Sequence, residues 1–186
     1  VLFGLFWRVP VAKKATSPAS WTRQCANGKS HVSAQCVRAC VLEVRKIQNK
    51  GSIVLDDGWR IVGEYKNKLS SSGQPGVGDA FLKWVLTNLN NPARCRQVRL
   101  TQDCADPNHF QEFPSHRGLR NFDPSDKKFV AVSAAHQDRP PILQAADSKW
   151  WGWKNALQEA GITVHFLCPE EIREKYDQKM AGSDTA

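Results

Sequence analysis

The chain has 186 residues, 41% hydrophobic and 24% charged, the proportions of one globular domain, which set aside both intrinsic disorder and residence in a bilayer. Its formal charge of +8 favours polyanionic partners such as nucleic acid without naming one. Six cysteines (Cys25, Cys36, Cys40, Cys95, Cys104 and Cys168) include no C-x-x-C, and a chain this large and apolar needs no covalent staples, so reduced thiols in a cytoplasmic protein are expected.

The opening "VLFGLFWR" is apolar for only seven residues and has no basic flank before it, so it is expected neither to span a membrane nor to act as a signal peptide. Residues 1–24 read as an irregular basic arm, with room for one strand, and the first 42 residues hold no Asp or Glu. From about 31 to 48, Cys36, Val37, Cys40, Val41, Val44 and Ile47 recur as one helical stripe that ends at Gly51. "SIVL", 52–55, is a short strand; Ile61, Val62, Tyr65 and Leu69 mark a helix after it; "SSSGQPGVG" is a loop, and "DAFLKWVLTNL", 79–89, a second helix.

"CRQVRL", 95–100, reads as a strand and residues 101–121 as a polar surface excursion. In "FDPSDKKFVAVSAAH" Asp123 suits a helix N-cap, Pro124 the first helical position and Asp126 the first turn, where exposed amides favour a carboxylate. "PPILQAAD" is a buried strand ending at Asp147, "SKWWGWKNALQEA" a helix closed by Gly161, "ITVHFL" a strand and "PEEIREKYDQKM" a last helix begun by Pro169. Residues 179–186 read as a disordered tail. Helices alternating with short apolar strands predict a three-layer α/β/α sandwich with a mainly parallel sheet, over residues 25–178.

Sites in open α/β sheets gather outside the carboxyl ends of the strands, which is where Asp147 falls. Each acid also has a plainer reading: Asp123, Asp126 and Asp147 as helix caps, and Glu64 as the partner of Arg60 in a surface ion pair. Trp150, Trp151 and Trp153 offer stacking faces for bases or, more ordinarily, core packing, and Lys127, Lys128, Lys149 and Lys154 surround them. His165 and Cys168 in "VHFLCP" lack a second ligand pair nearby and do not by themselves make a zinc site. There is no G-x-G-x-x-G, phosphate-loop or G-x-S-x-G motif.

Taken together, "GSIVLDDGWRIVGEYKNKLS", "FDPSDKKFVAVSAA" and "ILQAADSKWW" resemble a bacterial PIN-like branch of the PIN-domain nucleases, over roughly residues 25–175. The resemblance implies a compact α/β/α domain whose acids bind Mg²⁺ or Mn²⁺ and cleave single-stranded RNA or, less often, DNA. Glu64 then resembles the acid of the early helix, Asp126 the central acid with Asp123 as its neighbour, and Asp147 the acid after the late strand. A toxin component or RNA-processing factor, a protein inhibitor as partner and a homodimer all come with that family as options. One departure stands out: the family's first strand carries an Asp, and its matching place here, near Ala19, has no acid. Two readings follow, an active ribonuclease and an inactive PIN-like module that binds RNA or a protein.

Overall fold

A computed structural model describes residues 2–6, 33–74, 76–145 and 147–183. In chain order the elements are β1 (Leu2–Phe6), α1 (Ala34–Lys50), β2 (Ser52–Asp56), α2 (Arg60–Lys68), α3 (Val77–Asn88), β3 (Cys95–Val98), α4 (Lys127–Ala135), β4 (Ile142–Gln144), α5 (Lys149–Glu159), β5 (Val164–Phe166) and α6 (Pro169–Ser183). Two 3₁₀ turns, Arg117–Leu119 and Pro124–Asp126, punctuate the excursion between β3 and α4.

All strand pairings are parallel, in the order β3-β2-β1-β4-β5. Phe3 pairs with Ile53 on one side of β1, and Leu5 with Leu143 on the other. The one strand allowed for in the N-terminal arm is therefore central to the strand order. The order reverses between β1 and β4, and in doubly wound folds the crevice at such a reversal, outside the carboxyl ends of the strands, is where ligands bind.

Sequence explains most of the helix boundaries. Ser33 caps α1 by accepting the Cys36 amide at 3.1 Å, and the helix buries Cys36, Cys40, Val44 and Ile47 at spacings of four, four and three. Val37, expected on that stripe, is 41% exposed, so the buried face is narrower than the apolar pattern suggested. At Gly51 a Cβ would stand 2.8 Å from the Ile47 Cα, which explains why the chain turns there on glycine. Gly161 has φ of 77°, the left-handed conformation that ends α5 cheaply only with glycine.

The start of α2 is less ordinary. Its first flanking residue, Trp59, is itself left-handed (φ 59°) and offers no side-chain cap. The free amides are met instead from the end of β2: the fully buried Asp56 accepts the amides of Arg60 at 2.8 Å and Ile61 at 2.9 Å. Arg60 pairs with Asp56 at 3.3 Å and donates to Gln102 at 2.6 Å, pinning the excursion after β3 onto α2.

The main core joins Ile53, Val54 and Leu55 of β2 with Ile142 and Leu143 of β4, Phe129 and Val130 of α4, Phe81 and Leu82 of α3, and Trp150 of α5. Trp150 meets the Phe122 ring edge-on with centroids 5.0 Å apart. The tail expected from residue 179 is still helical through Ser183. Among the described residues, no helix is long and apolar enough to cross a membrane.

The expectation of reduced thiols needs correction. Cys36 of α1 and Cys168, just before α6, form a disulfide across 132 residues. Cys40, one turn along α1, remains a thiol buried beside them, with Ala145 completing the cluster. Sequence spacing could not find this pairing, because the two cysteines meet only once β4, β5 and α6 are assembled.

Candidate functional site: carboxylates at the sheet edge

Four acids were singled out in the sequence, and their surroundings differ. Asp123 caps the 3₁₀ turn, accepting the Ser125 amide at 3.0 Å and the Ser125 hydroxyl at 2.8 Å. Its second oxygen meets the Lys149 ammonium at 3.3 Å. Burial raises its pKa, but the bonds from Ser125 and Lys149 outweigh that and hold the carboxyl below its ordinary value.

Asp126 is only 2% exposed. It accepts the Trp150 indole N–H at 3.0 Å and lies 3.2 Å from the Ser125 hydroxyl. The Ser125 hydroxyl is thus within donating distance of both acids, closer to Asp123 than to Asp126. Burial raises the Asp126 pKa to about 6, against the pull of the indole donor, with the charges of Asp123 and Asp147 pushing the same way as burial.

Asp147 follows β4 and is nearly buried, accepting the Lys149 amide at 3.0 Å in the first turn of α5. Behind it, the side-chain oxygen of Gln144, the last residue of β4, accepts the Ala145 amide at 2.9 Å and the Asp147 amide at 3.4 Å. Gln144 is fully buried and, among the described residues, its Nε2 has no hydrogen-bond partner. A buried amide with an idle donor at the carboxyl end of a strand beside the order reversal is the site residue that the sequence did not single out. Glutamine in a strand carries no motif, and only its burial draws attention to it.

Glu64 stands apart. It pairs with Lys68 on its own helix and with Lys128 of α4 at 2.7 Å, not with Arg60 as its spacing suggested. Burial raises its pKa, and the two lysines more than offset this, keeping it ionised and below its usual value. The charges that raise Asp126 come from Asp123 and Asp147, not from Glu64.

Three of the four acids are therefore electrostatic neighbours, while the fourth is neutralised by lysines. No three of the described acids bring ligand oxygens within 4.8 Å of one another. With no closed cage of oxygens, a cation at this corner would be held by one or two carboxylates and its own water. Of these acids only Asp123 opens onto a shallow cleft of about 550 Å³, lined also by Lys149, Trp153 and Tyr176.

The tryptophans divide in the same way. Trp150 is wholly buried and serves the core, whereas Trp151, half-buried, carries the Lys154 ammonium 3.8 Å above its ring. Ala19, where the family pattern would put its first acid, lies outside the described residues. No protein-family model, curated protein or solved structure matches the chain.

Proposed function

We propose that the chain is a PIN-like, three-layer α/β/α domain that hydrolyses phosphodiester bonds of single-stranded RNA with a divalent cation, Mg²⁺ or Mn²⁺, held by Asp126 and Asp147. The observation that carries this reading is Asp126 itself. A carboxyl buried beside two other acids, with a pKa pushed up to about 6, is in a place that a cation would relieve. When bound, such an ion neutralises charge at a phosphate and makes a coordinated water a better nucleophile.

The protein's own groups have separate tasks in this account. Trp150 orients Asp126 through its indole N–H, and Gln144 holds the backbone of Asp147. Asp123, tied to Lys149, lies at the rim, where that lysine can meet a phosphate of the substrate. Glu64 fixes Lys128 on α4, a supporting part rather than the ligand role that the family resemblance gives it.

The test is cleavage of an end-labelled single-stranded RNA by the purified chain with Mg²⁺ or Mn²⁺. Cleavage that is lost on chelation and in both Asp126→Asn and Asp147→Asn is the expected result; a folded chain that leaves RNA intact with either ion contradicts it. A second reading, an inactive module that binds RNA or a protein, is favoured by the lysines that occupy Glu64. RNA retained without cleavage, and released by salt, would select it.

A further inference from the structure

A second cluster of ligand-type side chains lies at the same edge of the sheet and plays no part in the proposed hydrolysis. Cys36 and Cys40, one turn apart on α1, meet Cys168 at the start of α6, and the three sulfurs all lie within 4.8 Å of one another. All three residues are buried, at 3%, 1% and 8% exposure, against Ala145 and Leu167. Among the described residues this is the one group of three or more candidate ligands that closes to such distances.

A disulfide needs two sulfurs, and here a third is buried alongside. Tetrahedral coordination by thiolates at the usual Zn–S length of about 2.3 Å puts the sulfurs a little under 4 Å apart, a spacing that Cys36 and Cys168 reach only once their bond is open and that the 4.8 Å reach of the trio leaves room for at Cys40. Two ligands come from one helical face at i and i+4, and the third from the turn that follows β5, so the backbone already fixes their directions. Three soft donors in an apolar setting select soft or borderline ions and discriminate against Mg²⁺ and Mn²⁺.

We propose that, in the reduced chain, Cys36, Cys40 and Cys168 form a thiolate site for Zn²⁺, and that closure of the Cys36–Cys168 bond dismantles it. Oxidation by hydrogen peroxide balances this change. The Cys36 and Cys168 thiolates each give up one electron as the S–S bond forms, the peroxide O–O bond breaks, and two protons from solvent complete two waters, while the ion leaves with only Cys40 remaining. The site then reports the redox state of its surroundings, independently of whether the acid corner is a nuclease.

Cobalt(II) is the direct probe, because tetrahedral thiolate coordination gives it intense visible absorption. The full chain, reduced and freed of metal, is titrated with Co²⁺ and then with Zn²⁺. The expected result is one Co²⁺ per chain with thiolate-to-metal bands, bleached by Zn²⁺, and loss of those bands with one equivalent of peroxide. Cys40→Ser should weaken uptake by at least about tenfold while still forming the Cys36–Cys168 disulfide on oxidation, which shows that the variant folds. Substituting the exposed thiol, Cys104→Ser, should change nothing. A reduced chain with native circular dichroism that takes up no Co²⁺, or binds it without thiolate bands, overturns the proposal, as does uptake indifferent to Cys40→Ser.

Discussion

Two corners flank the carboxyl end of β4, and they are built on opposite terms. On one side Asp123, Asp126 and Asp147 are hard oxygen donors, each already engaged by an amide, an indole or a lysine. On the other, Cys36, Cys40 and Cys168 are soft donors with an apolar lining, two of them joined covalently. In sequence only Ala145 and Ala146 separate Gln144 from Asp147, and Ala145 itself packs on the sulfurs. The contrast teaches that one strand end can border two unlike environments, with charge compensated locally on one side and excluded on the other.

The largest effect should come from removing the packing that the acid corner leans on. Trp150→Ala deletes a fully buried indole and is expected to cost about 3–5 kcal/mol by urea unfolding. Trp150→Phe, which keeps most of the volume and removes the donor to Asp126, should cost less and raise the pH at which Asp126 ionises. If the two variants lose equal stability, the hydrogen bond rather than the packing dominates that corner.

The sulfur corner is tested next by reducing Cys36–Cys168 in the presence of a chelator. Opening a crosslink between residues separated by 132 positions should lower stability by about 2–4 kcal/mol, seen as a shifted urea midpoint. No shift between oxidised and reduced chains would mean that α1 and α6 are held by packing alone.

The pH dependence separates the acids from one another. Because the folded-state pKa of Asp126 is raised from 3.8 to about 6, the folded chain binds its proton more tightly than the unfolded chain. Stability should therefore fall as pH rises from about 4 to 6, by at most about 3 kcal/mol, and Asp126→Asn should flatten that fall. Asp123 and Glu64 are lowered instead, so their contribution is present above their ordinary values and lost as pH drops below about 4. The smallest effect belongs to Glu64→Gln, which breaks partly exposed pairs with Lys68 and Lys128 and should cost no more than about 1 kcal/mol.

What could be read in advance follows the same division. Asp123 was legible because a cap is a local event, set by residues two positions away, and the helix starting at Pro169 was legible for the same reason; Asp147, expected as the cap of the next helix, accepts the Lys149 amide but stands one residue before the cap itself, Ser148. Alternating apolar runs and helical stripes likewise foretold the parallel α/β arrangement, with β2, β4 and β5 near their expected places. Partners distant in sequence were not legible. Nothing in the spacing gives Lys128 to Glu64, Trp150 to Asp126 or Cys168 to Cys36, since each meeting depends on how α4, α5 and α6 come together. Asp56 and Gln144 escaped although both lie in stretches that carry the family resemblance, because the resemblance gives neither a role; burial at a strand end is what marks them.

The central claim, that the acid corner holds a divalent cation, is tested most directly by calorimetric titration of Mn²⁺ into the oxidised chain, where the disulfide keeps the sulfurs from contributing. The account predicts binding that is lost in both Asp126→Asn and Asp147→Asn, with each variant retaining its native circular dichroism. Absence of Mn²⁺ binding in the folded, unsubstituted chain, or binding that neither substitution disturbs, would contradict it.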